Sequence, residues 1–300
     1  MRRIVLFLLI ITLFGIGLFS VLGQHNTTSA ATPSLSASRG LRAGDVGFSL
    51  PTRHGLMWVY GDSWYNGHFI RSAITLNGKY TGFLAGVRRG HWIWPGAPWQ
   101  RADGKIVMYG SENQTPAGKG PWQKSFVRGL KIVFDPRKPR SAWVTPTKGT
   151  VWAAEAVQWR KAVYVYSVNS KYQAEVARVD RAGNPQRIRT LGGFLGGHFS
   201  VVQDSKHRWW TVGLGGMLSR KLWAYRMAGP AGPMSKKPVL LAILPKPGKK
   251  RYTYAADIHP ELGGLLTWAV NGVGPGTAYG LQKRYGWWPK ALRHALGRHY

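Results

Sequence analysis

The chain contains no cysteine among its 300 residues. Disulfide bonds, thiolate metal sites and a lipid anchor attached to cysteine are therefore excluded. Acidic residues are also scarce: 11 aspartates and glutamates stand against 42 lysines and arginines, which gives a formal net charge of +31. Long helical periodicity is rare, whereas glycine (39), proline (18) and aromatic residues (13%) are abundant. This composition favours an all-β fold with many turns.

The N-terminus has the layout of an export signal. Two arginines at positions 2 and 3 precede an uncharged, mostly apolar run at positions 4–22. That run is close to the length that spans a bilayer, so residues 1–23 are predicted to be either a cleaved signal peptide or a membrane anchor. The positive end predicts that the rest of the chain is extracytoplasmic, secreted or anchored, as in a bacterium. Residues 24–40, rich in Ser, Thr and Ala, are predicted to be a flexible linker to a single domain at 41–300.

Five aromatic or aliphatic strand cores recur about every 50 residues within that domain, which is the period of propeller blades. They begin at Trp58, Ile106, Val163, Trp209 and Leu265. Each core is preceded by a second strand-like piece, and hairpin turns are predicted between strands at Asp103, Asp180 and Asp204. The sequence therefore predicts a five-bladed β-propeller. In that fold the first strand of each blade lines a central channel, so residues distant in sequence converge there.

The strand-like pieces that precede the cores otherwise have the pattern of buried strands, yet they carry many polar side chains. These side chains are Asp45, Glu155, His198, Ser200, Asp257, His259 and Glu261. Asp62 and Glu112 follow two strand cores directly, which predicts a position near one rim of the channel. Trp64 and Trp94 are further candidates for substrate contact, because flat aromatic faces suit sugar rings. Asn271 is also a candidate for substrate contact.

Carboxylates that converge on a channel mouth beside aromatic side chains suit glycoside hydrolysis. One carboxylic acid protonates the leaving oxygen, and a second carboxylate attacks the anomeric carbon or activates water. The alternative is that these acids are simply ion-paired with the abundant lysines and arginines. No metal site and no cofactor are predicted, since histidines such as His198 and His259 on buried strands are more often hydrogen-bonded than metal-bound. A structural cation in the channel stays open.

The strong positive charge indicates an anionic partner, such as a cell-wall polymer or a membrane surface. The alternative is that few acids reflect the habitat of the source and no particular partner. No nucleic-acid-binding motif is found, so nucleic acid is not the expected partner.

Two stretches of the sequence resemble one known family. Residues 44–64 include the run Gly44-Asp45-Val46-Gly47-Phe48-Ser49-Leu50-Pro51 and the run Tyr60-Gly61-Asp62-Ser63-Trp64. The second stretch is Tyr254-Ala255-Ala256-Asp257-Ile258-His259-Pro260-Glu261-Leu262, followed by Trp268-Ala269-Val270-Asn271. Over about residues 42–285 the chain is similar to a bacterial family of five-bladed propellers, largely of unknown function. That family includes endo-D-arabinanases and is related in fold to arabinanases and fructosidases.

This resemblance implies that Asp45 and Asp62 are the catalytic carboxylates and that His259 and Glu261 shape the channel. It implies a glycoside hydrolase that acts outside the cytoplasm on cell-wall or environmental polysaccharide, with an arabinan-type glycan as one option. The chain departs from the family at Arg71, where an asparagine is usual, and at Glu155. A non-catalytic surface propeller that binds anionic glycan or wall polymer is the second hypothesis.

Overall fold

The alternating apolar residues of the repeat units form antiparallel strands throughout the described part of the chain. The computed structural model describes residues 40–118, 125–204, 206–249, 251–262, 264–272 and 282–286. All of them fall in one unit, Pro33–Tyr300. These ranges contain no α-helix, and Pro139–Ser141 and Pro260–Leu262 form single 3-10 turns. The predicted signal and linker, residues 1–39, lie outside the described residues.

The strands are numbered in chain order. They are β1 (Leu41–Gly44), β2 (Phe48–Thr52), β3 (Gly55–Tyr60), β4 (Ser63–Tyr65), β5 (His68–Ile70), β6 (Ala73–Leu76), β7 (Lys79–Gly82), β8 (His91–Trp94), β9 (Pro98–Gln100), β10 (Ile106–Gln114), β11 (Ser125–Phe134), β12 (Trp143–Thr147), β13 (Glu155–Trp159), β14 (Ala162–Val168), β15 (Ala174–Val179), β16 (Pro185–Gly192), β17 (Phe199–Gln203), β18 (Trp209–Leu214), β19 (Lys221–Met227), β20 (Val239–Ile243), β21 (Arg251–His259), β22 (Leu265–Gly272) and β23 (Gln282–Gly286). The five predicted strand cores lie in β3, β10, β14, β18 and β22.

The sheets confirm a β-propeller and correct its blade count. Four sheets have at least four strands and form blades, in the orders β2-β3-β6-β7, β8 and β9 with β10-β11-β12, β13-β14-β15-β16, and β17-β18-β19-β20. The prediction of five blades is wrong: in the described residues the last unit is a three-stranded sheet, β21-β22-β23. The spacing of strand cores counts repeat units, whereas a blade requires four paired strands, so the spacing overestimated the count by one.

One strand from each of these five sheets lines a common channel. Residues of β2, β9, β13, β17 and β21, or directly beside them, surround the same cavity. The two ends of the chain close the ring, because Ser49 of β2 bonds to the side chain of His259 in β21 at 2.5 Å. On the other side of β21, the hydroxyl of Ser200 accepts a hydrogen bond of 2.7 Å from the backbone N of Ile258.

The hydrophobic core lies between neighbouring blades. The largest group of buried side chains around the first two blades includes Met57, Val59, Ile74, Ile106, Met108 and Ile132. Similar groups join the third blade to the fourth and the fourth blade to the last sheet. Each such side chain contributes about 1.5–3 kcal/mol when it leaves water.

The hairpin turns predicted at Asp103, Asp180 and Asp204 are confirmed. Each is closed by a backbone hydrogen bond, for example from Gly183 N to Asp180 O at 3.0 Å. No helix in the described ranges is long and apolar enough to cross a membrane.

Candidate functional site

Asp45 and Asp62, the two predicted catalytic carboxylates, lie beside each other at one end of the channel. The backbone N of Asp45 donates a hydrogen bond of 2.9 Å to the carbonyl of Asp62, and Gly61 N donates to the carbonyl of Asp45 at 2.8 Å. Asp45 lies in the short connection between β1 and the inner strand β2, and only 3% of its surface is exposed. The Asp62 side chain is 17% exposed. The pair therefore combines an enclosed carboxylate with a more accessible one.

Tyr254 links the Asp45 carboxylate to the last sheet. Its hydroxyl donates a hydrogen bond of 3.1 Å to Oδ2 of Asp45. Burial, then the negative charge of Asp45, raises the pKa of Tyr254 well above its usual value, and Asp62 contributes in the same direction. The hydroxyl is therefore held as a donor near both carboxylates.

The backbone on both sides of this hydrogen bond is in the left-handed region. Val46, the residue after Asp45, has φ of 51°, and Ala255, the residue after Tyr254, has φ of 48°. A β-branched residue such as Val46 rarely adopts this conformation, so its backbone is strained. The bulge in β21 between Tyr254 and Ala256 accompanies this strain. This backbone conformation fixes the directions of the Asp45 and Tyr254 side chains, and the strain is the energetic cost of that arrangement.

Gly61 allows the Asp45 carboxylate to approach the backbone. A Cβ atom at Gly61 would lie 2.2 Å from Oδ1 of Asp45 and 3.4 Å from a ring carbon of Trp94. Only a residue without a side chain fits at this point. The same measurement places the predicted substrate-contacting Trp94 next to the carboxylate pair.

Arg71 lies beside Asp62. Its Nη1 is 3.5 Å from Oδ1 of Asp62, and its guanidinium stacks over the ring of Trp92 at 3.9 Å. Arg71 stands where the similar family has asparagine, so a cation here faces the more accessible carboxylate. We refer to Asp45, Asp62, Arg71, Trp94 and Tyr254 together as the mouth site.

A second group of acids lies deeper in the channel, around a cavity of about 190 Å³. The polar residues that line this channel cavity are Ser49, Glu155, Ser200, Asp257, His259 and Glu261. Asp257 follows Tyr254 by three strand residues, so the cavity is roughly 10 Å further along the channel than the mouth site. The structure therefore separates the predicted site residues into two groups.

Glu155 is the most strongly perturbed acid of the channel cavity. Burial raises its pKa well above the usual value, and the negative charges of Asp257 and Glu261 add to that rise. Its Oε1 accepts a hydrogen bond of 2.7 Å from Ala156 N, and Oε2 accepts one of 3.3 Å from Val201 N. These bonds offset the burial only in part, so Glu155 holds a proton at pH values where most glutamates are ionised.

Asp257 and His259 are two residues apart in β21, so they lie on the same face of the strand, and both line the channel cavity. Asp257 is only 4% exposed, and within the described residues its Oδ2 has no hydrogen-bond partner. Nε2 of His259 is 2.8 Å from the hydroxyl of Thr267. The hydroxyl of Ser49 contacts both His259 and Glu261, so these residues close the ring of inner strands.

The channel cavity offers no metal centre among the residues that the structure describes. No group of three His, Asp or Glu side chains in those ranges is arranged to hold a metal ion. Both nitrogens of the His259 ring contact hydroxyl groups, which suits a hydrogen-bonded core histidine.

Three other predicted residues make ring or backbone contacts. The ring of His198 packs against Phe48, 5.5 Å between centroids. Trp64 packs against Phe69 at 5.8 Å. Asn271 pairs with Tyr252 through the backbone of β22, and its side chain is outside the described residues.

Glu112, predicted near one rim of the channel, lies near the end of β10. Its side chain is fully buried in β10, where Oε2 accepts a hydrogen bond of 2.6 Å from Nε of Arg128. It therefore acts as an ion-pair partner inside the second blade.

Residue-by-residue reasoning missed Tyr254, Ser49 and Gly61 as parts of the site. All three lie inside the two stretches that carry the family resemblance, which was the one available signal. The roles of Tyr254 and Ser49 depend on contacts between residues far apart in sequence. Tyr254 and Asp45 are 209 positions apart, and Ser49 and His259 are 210 positions apart. Such contacts leave no trace in local periodicity.

No family model and no curated protein matches this sequence. Solved structures share the fold. A crystal structure of a putative hydrolase from Bacteroides ovatus is 15% identical, with a TM-score of 0.60, over 82% of this chain and 85% of that chain. A GH43 β-1,3-galactosidase is 14% identical, with a TM-score of 0.52, over 81% of this chain and 90% of that chain. An exo-1,5-α-L-arabinanase from a bovine ruminal metagenomic library is 9% identical, with a TM-score of 0.51, over 82% and 93%.

At these identities the comparisons establish the fold alone. The chain has the propeller fold of GH43-type glycoside hydrolases. The narrower resemblance to the family with endo-D-arabinanases stays a prediction from the sequence.

Proposed function

We propose that this protein is a glycoside hydrolase whose catalytic carboxylates are Asp45 and Asp62. The observation that carries the proposal is their placement side by side at one end of the channel. The Tyr254 hydroxyl contacts one of them, and Trp94 lies beside the pair. Solved structures with the same fold include a galactosidase and an arabinanase, which supports a polysaccharide substrate.

The mouth site suggests how the two carboxylates divide the chemistry. Asp45 accepts a hydrogen bond from Tyr254 and is enclosed, which suits the carboxylate that attacks the anomeric carbon or activates water. Asp62 is more exposed and would donate a proton to the glycosidic oxygen as the bond to the anomeric carbon breaks. Arg71, at 3.5 Å from Asp62, would move to the substrate or the leaving group during that step.

The substrate we propose is a cell-wall or environmental polysaccharide, and an arabinan-type glycan is the first to test. This part rests on the family resemblance of residues 44–64 and 254–262. The extracytoplasmic location rests on the positively charged end and apolar run at residues 1–22. Protease treatment of intact cells that express the full chain would test it, because an external domain is degraded while a cytoplasmic marker survives.

A non-catalytic glycan-binding propeller is the second candidate. The contact of Arg71 with Asp62 favours it, because a paired carboxylate needs no catalytic role. The net charge of +31 favours it as well, through attraction to anionic wall polymers.

Reducing-sugar release by the full-length protein separates the two candidates. The panel contains arabinan, arabinogalactan, other wall polysaccharides and teichoic acid. Asp45→Asn and Asp62→Asn should each abolish release while substrate binding persists. Asp103→Asn, in an exposed hairpin turn, is the matched control and should keep full activity. Absence of release from every polymer, with binding unaffected by all three substitutions, would favour the binding module.

A further inference from the structure

A second hollow, of about 850 Å³, opens between the second and third blades. Its floor is apolar and consists of Trp99, Val107, Val163 and Val179. Hydrogen bonds across the blades fix its shape: Tyr109 Oη donates to Gly183 O at 2.7 Å, and Lys131 Nζ donates to Ala182 O at 3.1 Å. The hollow is therefore built by the packing of two blades.

The rim of this hollow is strongly basic. Its cationic residues are Arg101, Lys131, Lys161, Arg178 and Arg181, which we call the basic groove. Asp180 is the single acid among the lining residues of the described chain. Arg101 is paired with Asp103 at 3.1 Å. Across the ranges that the structure describes, no acidic side chain forms an ion pair with Lys161, Arg178 or Arg181.

The positive charges of the basic groove are close enough to affect one another. Burial lowers the pKa of Lys131, and the nearby charge of Arg101 lowers it further, while Asp180 opposes both. Cations gathered in this way repel each other, and an anion bound among them would relieve that repulsion.

The basic groove continues into a neighbouring hollow of about 430 Å³. Lys161 and Arg178 line both hollows. The second hollow adds Trp159 and Arg160, whose guanidinium stacks over the Trp159 ring at 4.2 Å. An extended ligand could therefore contact both hollows along one path.

We propose that the basic groove binds an anionic polysaccharide, whose carboxylates or phosphates pair with Lys161, Arg178 and Arg181. The half-buried Val163 and Val179 of the floor offer apolar surface to the CH groups of sugar rings, and the exposed Asp180 carboxylate can accept hydrogen bonds from sugar hydroxyls. This site is independent of the hydrolase proposal, because it requires no chemistry at Asp45 or Asp62.

The lining residues favour a polysaccharide over single-stranded nucleic acid or a membrane. Nucleic acid without sequence preference binds to exposed aromatic platforms, but Trp99 is buried in the floor and Arg160 covers Trp159. A membrane surface is broad, whereas this site is a recess between two blades.

The basic groove lies away from the mouth site, near the far end of β2. β2 begins three residues after Asp45 and ends at Thr52, and the next residue, Arg53, donates a backbone hydrogen bond of 3.1 Å to the side chain of Gln100. Gln100 is next to Arg101 of the groove, and the five residues of β2 span about 16 Å. A polymer held in the groove therefore leaves the mouth site accessible.

The test measures binding of the full-length protein to three probes, at two salt concentrations. The probes are polygalacturonate, which carries carboxylates, phosphomannan, which carries phosphates, and single-stranded DNA, with neutral dextran as the blank. The triple substitution Lys161→Glu, Arg178→Glu, Arg181→Glu should weaken binding to at least one anionic polysaccharide by 10-fold or more. The matched control, Lys79→Glu, Lys236→Glu, Lys237→Glu, makes the same change of net charge at exposed positions elsewhere and should weaken it less than threefold.

Each outcome of this test either supports the proposal or overturns it. Carboxylate and phosphate probes bound alike would indicate recognition of charge, and preference for one would name the anionic group. Equal loss in both triple variants would overturn the proposal, because net charge alone would then explain binding. Tighter binding of DNA than of either polysaccharide, or no binding by the unsubstituted protein, would also overturn it. A Lys161→Gln, Arg178→Gln, Arg181→Gln variant repeats the test if the charge reversals reduce folding.

Discussion

Oη of Tyr254 donates a hydrogen bond of 3.1 Å to Oδ2 of Asp45, although the two residues are 209 positions apart in sequence. The bond joins the first inner strand to the last one at the end of the channel where Asp62 also lies. Closure of the propeller and orientation of the proposed catalytic carboxylate therefore depend on the same contact.

Replacement of Tyr254 by phenylalanine should reduce turnover by about 10- to 100-fold, because the Asp45 carboxylate loses the group that fixes its direction. The free energy of unfolding should fall by about 1.5–3 kcal/mol, as expected for a hydrogen bond to a charged group. Steady-state kinetics and denaturant unfolding measure the two effects. Tyr252→Phe is the matched control: Tyr252 packs 5.7 Å from Tyr254 but has no hydrogen bond to Asp45. Equal losses in both variants would show that Tyr254 acts only through packing.

Gly61→Ala tests the position of the Asp45 carboxylate without removing any polar group. The new Cβ atom would lie 2.2 Å from Oδ1 of Asp45, so the carboxylate must move. Activity should fall by about 100-fold, the loss expected when a catalytic group shifts by about 1 Å. A Cβ atom at Gly229 meets no atom within 4 Å, so Gly229→Ala should leave activity unchanged. Unaltered turnover in Gly61→Ala would exclude Asp45 from the reaction.

Leaving-group dependence can assign the two carboxylates. Asp62→Asn should lose activity on polysaccharide but recover much of it on an aryl glycoside of the same sugar, since a good leaving group needs no proton. Asp45→Asn should stay inactive on both substrates. The reverse pattern would exchange the two roles and leave the proposed function standing.

Much of the fold could be predicted from the sequence because strand cores are a local signal. The cores at Trp58, Ile106, Val163, Trp209 and Leu265 all lie in strands, and the turn at Asp204 is closed as expected. The number of blades could not be read in the same way. Whether a repeat unit has a fourth paired strand depends on tertiary pairing, and strand cores do not report it.

The sequence predicted which residues line the channel better than it predicted how they are grouped there. The sequence placed Asp45, Glu155 and Asp257 on inner strands, and the structure finds them along the channel. It did not separate the mouth site from the channel cavity, because depth along a strand depends on where each strand begins. It also did not predict that the Glu112 carboxylate is buried and paired with Arg128.

The Glu155 carboxyl should make stability depend on pH. Its pKa is raised on folding by burial and by the charges of Asp257 and Glu261. Above the unfolded value of 4.5 the unfolded chain releases a proton that the folded chain keeps, so stability falls as pH rises until the folded pKa is passed. The slope is at most about 1.4 kcal/mol per pH unit.

Glu155→Gln removes that titration. As the pH rises from 5 to 8, the free energy of unfolding of the variant should increase relative to that of the unsubstituted protein. Denaturant unfolding at several pH values measures it, and Glu175→Gln, whose carboxylate pairs with Arg187 at 3.0 Å, is the control. A pH-independent difference would show that Glu155 is ionised in the folded protein.

Asp204 should give the opposite pH dependence. It is 3% exposed, and its carboxylate accepts hydrogen bonds from Arg208 Nε at 2.6 Å and Trp210 Nε1 at 3.0 Å. Burial raises its pKa, but the hydrogen bonds from Arg208 and Trp210 outweigh this effect and the pKa is lowered overall. The stabilisation is therefore complete above the unfolded pKa, near 3.9, and is lost as pH falls through the folded pKa.

Asp204→Asn should lower the free energy of unfolding at pH 7 by about 1–3 kcal/mol, because the hydrogen bonds from Arg208 and Trp210 lose their charged acceptor. The difference from the unsubstituted protein should shrink as the pH is lowered below 4. Asp103→Asn, which changes a turn aspartate with a 42% exposed side chain, should cost less than about 0.5 kcal/mol at any pH. A loss at Asp204 that is the same at pH 3 and pH 7 would mean that the turn geometry, and not the carboxylate charge, stabilises the fourth blade.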